Sequence, residues 1–305
     1  MLTDLHQHLW SEPLIDALAR RRTLPFVRRE RGLTVLHLAG ERPYVIDLQA
    51  EAPARRAALV RADGVERALV CLSSTIGIEA LPRDEAQELL DAYHEGALTL
   101  PAEFGAWGAV ALDGIDPDDV DRLLERGCVG ISLPAGALGG VEALARIGPL
   151  LERLEFRGAP LLVHPGPAPH QRPPDVSLSD PLWWPALTGY VADMQAAWLT
   201  FVSAARREYR ELRVVFAMLA GTAPLLHERL AARGGPATAG AIDPLSFYDT
   251  SSFGPLALEA MARCVGAAQL LYGSDRPVVE PQVTGRERAT ALSAGRLFEP
   301  LAVGV

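Results

Sequence analysis

Residues 160–167 read Pro160-Leu161-Leu162-Val163-His164-Pro165-Gly166-Pro167. A short apolar run reaches a histidine, and proline and glycine then break the chain. Continuous apolar segments of this length, without polar alternation, are expected of parallel strands buried on both faces. The pattern recurs along the chain. Similar runs begin at Leu2 (LTDLH), Arg67 (RALVCLSS), Phe104 (FGAWGAVAL), Cys128 (CVGISL), Arg213 (RVVFAML), Ser246 (SFYDT) and Gln269 (QLLYGSD). Helical segments fill the gaps. Asp116 to Arg126 opens on Asp-Pro and stops at Gly127, and Val141 to Arg157 stops at Gly158. Proline near the start and glycine just past the end are the expected helix boundaries. Pro185 to Tyr209 is the longest helical stretch, and Pro255 to Val265 follows a Gly-Pro start.

Eight runs alternating with helices over 305 residues predict a (β/α)8 barrel, read as a single domain over 1–305. A doubly wound sheet is the competing architecture, but no G-x-G-x-x-G turn follows the first run. Residues 24–50 break the rhythm. Two alternating segments flank Gly40-Glu41-Arg42-Pro43, which predicts a β-hairpin inserted after the first strand, as a structural flap or a partial lid.

Composition narrows the chemistry. The net charge is −9 and the pI about 5.3, so no global basic field favours nucleic acid or anionic lipid. All 29 basic residues are arginine; lysine and asparagine are absent. That excludes a Schiff-base lysine, a P-loop lysine and a carbamylated lysine bridging two metals. Cys71, Cys128 and Cys264 are odd in number and far apart, against a disulfide framework or a cysteine metal site. The opening residues have no signal-peptide pattern, and no apolar run reaches the roughly 20 residues of a membrane span. The expected compartment is the cytoplasm.

On a strand, residues two apart share a face, so His6 and His8 of the first run converge. His164 ends the fifth run and Asp275 the eighth. Each alone has a plainer reading: a surface histidine pair, a core histidine, a capping aspartate. Together they project to the C-terminal mouth of a barrel, where active sites lie. Three imidazoles and one carboxylate suit zinc or another first-row divalent ion.

Taken together, DLHQH at 4–8, FGAWGAV at 104–110, GCVGISL at 127–133, PLLVHPGP at 160–167, VVFAMLAGTAP at 214–224 and YGSDRP at 272–277 resemble the amidohydrolase superfamily. The likeness is to the branch of aminocarboxymuconate-semialdehyde decarboxylase and the resorcylate-type decarboxylases. It covers nearly the whole chain. It implies a barrel holding one metal with His6, His8, His164 and Asp275, the aspartate also accepting a proton from water. The sequence departs from the family at two places. The sixth strand usually carries a histidine in S-H-x-G-G, and Met218 stands there; Ser132 stands where many relatives have lysine. A thioether cannot shuttle a proton.

His170, in the loop after the fifth run, is the candidate replacement, with a solvated loop histidine as the alternative. Arg276, Trp184, Trp107 and Ser73 are candidate substrate contacts, with Ser74, Trp183, Ser251 and Ser252 as further linings. Arg276 alternatively forms a salt bridge across the barrel rim, and the tryptophans alternatively pack a long loop. His37, His94 and His227 read as structural or exposed. The helix from Pro185 has more apolar surface than one barrel contact needs, so a homodimer is a further expectation.

The expected activity is hydrolysis of an ester, lactone or amide in a small, carboxylated substrate by a zinc-activated water, with Asp275 as base and His170 assisting. The alternatives are decarboxylation of an aromatic or unsaturated acid, or a metal-binding barrel that has lost catalysis.

Overall fold

The computed structural model describes residues 2–172, 179–235, 243–280 and 294–298. All eight predicted runs form barrel strands. The first two are β1 (Thr3–Gln7) and, beyond an insertion, Arg67–Val70. The insertion follows a helix rather than the first strand directly, and its strands run from Phe26 to Ile46, within the expected 24–50. After β1 comes helix α1 (Glu12–Arg20), followed by three antiparallel strands, β2 (Phe26–Glu30), β3 (Leu33–His37) and β4 (Tyr44–Ile46). The predicted hairpin is thus a three-stranded meander. Its first turn is Arg31-Gly32, both with positive φ, between the paired Glu30 and Leu33. A turn of this kind favours Asn-Gly or Asp-Gly; with arginine at its first position, it left no recognisable signal. Helix α2 (Pro53–Ala62) returns to β5 (Arg67–Val70), and α3 (Arg83–Leu98) leads to the third barrel strand.

That strand is in two pieces, β6 (Phe104–Ala106) and β7 (Gly108–Ala109), joined through Trp107. The other strands are β8 (Ile131–Pro134), β9 (Leu161–His164), β10 (Val214–Phe216), β11 (Ser246–Asp249) and β12 (Leu270–Leu271). All barrel pairings are parallel, in the order β1-β5-β6 and β7-β8-β9-β10-β11-β12. The ring closes where the Leu5 N–H donates to the Tyr272 carbonyl at 3.0 Å and Gln7 bridges Arg276. The interior is filled by Leu5, Leu69, Trp107, Leu162, Val215, Phe247 and Leu271, which come from seven different barrel strands. This is the packed core of a closed barrel rather than a pore.

The helices α4 (Asp118–Glu125), α5 (Val141–Phe156) and, further on, α8 (Pro255–Val265) fall where predicted. Gly127 and Gly158 have positive φ, as helix-terminating glycines do. The long helix breaks at Thr188 into α6 (Trp184–Leu187) and α7 (Gly189–Thr200), then loosens into a π-turn over Phe201–Ala205. Leu182, Trp183, Trp184 and Leu187 lie exposed at its start. Beyond β10 the backbone is left-handed from Met218 to Thr222, with φ between 51° and 62°. For the non-glycine residues this conformation costs roughly 1–2 kcal/mol each, and burial of Leu219, Ala220 and Ala223 holds the turn in place.

Arg42 donates from Nη2 to the Asp180 carbonyl at 2.5 Å. This contact joins the insertion, which follows the first barrel strand, to the loop after the fifth. Those two strands lie on opposite sides of the mouth. Among the described residues, no helix is long and apolar enough to cross a membrane.

Candidate metal centre

A β-bulge in β1 shapes the centre. Asp4 pairs with Ala68 and Gln7 with Val70, so β1 spends three residues where β5 spends two. A bulge re-aims side chains locally. Here it allows Leu5 to enter the interior core while His6 and His8 also turn inward, and Asp4 and Gln7 share the outer face. His164, on the opposite strand, meets the pair. The three ring centroids lie 4.9–5.0 Å apart and the rings are mutually perpendicular, at 87–89°.

Each imidazole is held from behind through Nδ1. His6 Nδ1 donates to Asp249 Oδ2 at 2.7 Å, His8 Nδ1 to the Cys71 carbonyl at 3.0 Å, and His164 Nδ1 to the Pro165 carbonyl at 2.9 Å. With Nδ1 carrying the proton, Nε2 is left as a lone pair. His6 Nε2 and His8 Nε2 lie 3.2 Å apart, and Asp275 Oδ1 is 3.3 Å from the second and 3.7 Å from the first. One ligand atom from each of the three histidines falls within a 4.8 Å group. Three lone pairs and a carboxylate oxygen facing one another repel unless a cation sits among them. The donor set therefore fits a divalent metal held by His6, His8, His164 and Asp275.

The four donors also feel one another's charge while no metal is bound. Burial opposes charge on His6 and is the largest single influence, but Asp249 and Cys71 together outweigh it and hold the imidazole well above its ordinary value. His8 is likewise penalised by burial yet raised to about 9 by Cys71 and Asp275. His164 is pushed well below the ordinary value by burial and by the two neighbouring imidazoles. Burial alone would raise the Cys71 thiol, whose Sγ is 3.6 Å from His8 Nδ1; the imidazoles bring it down to about 7.

The structure thus brings His6, His8, His164 and Asp275 together. It does not bring His170 to them. That residue is exposed, with φ of 63°, in a cavity of about 590 Å³ lined also by Gly136, Arg146, Gln171 and Asp193 and by none of the four donors. Trp107 is fully buried in the barrel interior, where its Nε1 donates to the Leu5 carbonyl at 3.0 Å. The Arg276 side chain takes the alternative role, a salt bridge at the rim, 3.2 Å from both Asp63 and Glu280. Trp184 is exposed, tilted against Trp183. Ser73 is partly buried two residues beyond Cys71, its hydroxyl 3.1 Å from that of Thr75. Met218 packs half-buried against the core between barrel and helices.

Two residues, Asp249 and Asp4, escaped sequence reasoning. Asp249 ends the seventh run as His164 ends the fifth, a signal that was available. Ser251, expected as a pocket lining, donates to Asp249 at 2.5 Å. Asp4 is buried beneath the centre and accepts from the N–H groups of His6 and Ser274 and from Gln7 Nε2.

Residues 3–296 match the sequence model of the amidohydrolase family. The chain belongs to this family. Among solved structures, it superposes on IDCase of Metarhizium anisopliae in apo form with a TM-score of 0.75 at 16% identity, covering 97% of this chain and 90% of that one. A 5-carboxyvanillate decarboxylase from Novosphingobium aromaticivorans, with bound manganese and 3-methoxy-4-hydroxy-5-nitrobenzoic acid, gives 0.68 at 16% identity, covering 98% and 95%. The 2,6-dihydroxybenzoate decarboxylase from Rhizobium gives 0.65 at 15% identity, covering 97% and 98%. At these identities the likeness establishes the amidohydrolase barrel fold and leaves the reaction to be argued from the site. No curated protein sequence matches the chain.

Proposed function

We propose that this amidohydrolase-family chain is a metal-dependent decarboxylase of a small aromatic or unsaturated carboxylic acid. The observation that carries the reading is the converging donor set of His6, His8, His164 and Asp275 in a nearly enclosed centre. When bound, a first-row divalent ion, zinc or manganese, supplies the positive charge that orients and polarises a substrate carboxylate and a neighbouring oxygen. Burial favours this chemistry: it strips water from a carboxylate whose charge is lost when carbon dioxide leaves. The two decarboxylases among the structural neighbours support the same reaction class.

The chain's own residues have distinct parts. Asp249 and the carbonyls of Cys71 and Pro165 fix the histidine tautomers. Asp275 is the carboxyl facing the imidazoles, and it delivers a proton to the carbon that carbon dioxide vacates. The carboxylate and one proton go in; the decarboxylated product and carbon dioxide come out. Met218 offers no proton at the exit of the sixth strand, which leaves that work to Asp275. Ser73 is a candidate lining of the substrate space.

A second reading is favoured by one feature. Asp275 beside the imidazoles is equally placed to take a proton from an attacking water, as hydrolysis of an ester, lactone or amide requires. The test is a panel of hydroxybenzoates and unsaturated acids, and a panel of esters, lactones and amides, run on metal-stripped and metal-restored protein. Metal-dependent release of carbon dioxide supports the first reading. Metal-dependent hydrolysis without it replaces the first reading with the second. Full activity in rigorously metal-free protein overturns both.

A further inference from the structure

The metal-site reading leaves a buried arginine behind the centre unexplained. Arg56, on α2, is 1% exposed and ranks among the largest fully buried side chains. Its Nη1 donates to Glu51 Oε2 at 2.8 Å. Its Nη2 donates to Gln7 Oε1 at 2.7 Å and reaches the Arg276 carbonyl at 3.4 Å. Gln7 lies between His6 and His8, and Arg276 follows Asp275. The same guanidinium therefore grips the two short segments that supply three of the four donors.

The grip continues along the outer face of β1. Gln7 Nε2 donates to Asp4 Oδ2 at 2.7 Å, and Asp4 Oδ1 accepts from the Ser274 N–H at 3.0 Å. The backbones are stitched in parallel: the His8 N–H donates to the Arg276 carbonyl at 2.8 Å, and the Asp275 N–H to the His6 carbonyl at 2.9 Å. Residues on both sides of Asp275 are thus tied to the outer face of the histidine strand. The arrangement is costly. A buried ion pair is often no more stabilising than a well-packed apolar pair, and Arg56 Nε has no hydrogen-bond partner among the described residues. Stability alone does not explain why a guanidinium sits there. Geometry does, because β12 has only two residues and the segment carrying Asp275 leaves the barrel directly after it.

We propose that Arg56 is a positioning residue for the metal centre, acting through Gln7 and the Arg276 carbonyl to hold Asp275 in register with His6 and His8. The inference rests on the metal-site reading, and the test separates the two. Co²⁺ is titrated into metal-stripped wild-type protein, with affinity and visible spectrum recorded; no binding overturns the metal reading before any substitution is made. The titration is repeated with Arg56→Met and with Gln7→Met, each alone and combined with Asp275→Ala. Gln7→Met cuts the link to the strand but keeps the Arg56–Glu51 pair, and it carries the test if Arg56→Met does not fold. Loss of an outer support weakens metal affinity by about 10- to 100-fold. That loss and an altered Co²⁺ spectrum are expected in the single variants. In the Asp275→Ala background the same changes leave affinity within about twofold, because the residue they position is gone. Unchanged affinity and spectrum in the single variants, or an equal loss in both backgrounds, overturns the proposal.

Discussion

Gly273→Ala tests how tightly the centre depends on its outer supports. Gly273, two residues beyond β12, lies behind the His6–Asp249 pair. A Cβ there would stand 2.0 Å from Asp249 Oδ1 and 2.8 Å from the His6 Cβ. Ordinary contact begins near 3.4 Å, so the carboxylate must retreat by about 1.4 Å, the difference between 3.4 and 2.0. The Asp249–His6 hydrogen bond is 2.7 Å long. The accepting Oδ2 belongs to the same rigid carboxylate as the crowded Oδ1, so a shift of that size disturbs this bond. His6 is then less firmly held in its tautomer, and metal affinity should fall by about 10- to 100-fold. Overpacking costs a further 1–3 kcal/mol or so of stability. Isothermal titration of metal into stripped protein reads the first effect, and urea unfolding of the metal-free chain reads the second. Asp249→Asn keeps the side-chain shape but removes the charge, and should weaken metal without the packing cost. If Gly273→Ala bound metal as tightly as wild type, the claim that the Asp249–His6 contact sets affinity would be wrong.

Three further outcomes are expected. Metal uptake should release protons, and the share that comes from His8 should fade as pH rises through about 9, because His8, raised to about 9, must lose its proton to coordinate; titrations in buffers of different ionisation enthalpy measure this. Glu79 is fully buried, and burial, against the Ser74 hydroxyl's opposing hydrogen bond, raises its carboxyl from 4.5 to about 7. The folded state then binds this proton more tightly than the unfolded chain does, so its contribution is complete below pH 4.5 and is lost as pH rises to about 7. The difference is about 3 kcal/mol at most, and Glu79→Gln should flatten that part of the stability–pH profile in urea unfolding. His170→Ala should leave turnover unchanged, since His170 faces a cavity that none of the metal donors lines; a large fall in kcat would return it to the mechanism.

The barrel was legible because its strands are buried on both faces, so each appears as an unbroken apolar run with its functional residue at the end. His6, His8, His164 and Asp275 stand at such ends, and barrel symmetry alone brings them together. Asp249 stands at an end too, but its partner is His6, and only the closed ring shows the seventh strand behind the first. Arg56 was illegible for a different reason. In Pro-Ala-Arg-Arg-Ala-Ala-Leu-Val-Arg-Ala it looks like any solvent-facing arginine on a surface helix. Its burial follows from the insertion, whose first turn carried no sequence signal. The substrate contacts fared worst. Trp107 and Arg276 were read as pocket linings from their position near strand ends, yet a residue there can equally point into the packed interior or out to the helices.

The composition and the electrostatics converge on the number and charge of the metal. Without lysine the chain cannot form the carbamate that bridges paired metals in many members of this superfamily. The centre itself carries two carboxylates, Asp275 among the donors and Asp249 behind His6. A single divalent ion balances those two charges in a site that water barely reaches, while a second ion would leave two positive charges uncompensated, at a cost of several kcal/mol per ion in such surroundings. In the metal-free state the same neighbours act: against burial, Asp249 and Cys71 hold the His6 imidazole above its ordinary value, while burial and the two neighbouring imidazoles push His164 below it. The charge balance thus favours a single ion. It also makes stoichiometry the sharpest check on the whole construction: elemental analysis should find one metal per chain, and two tightly bound ions would contradict it.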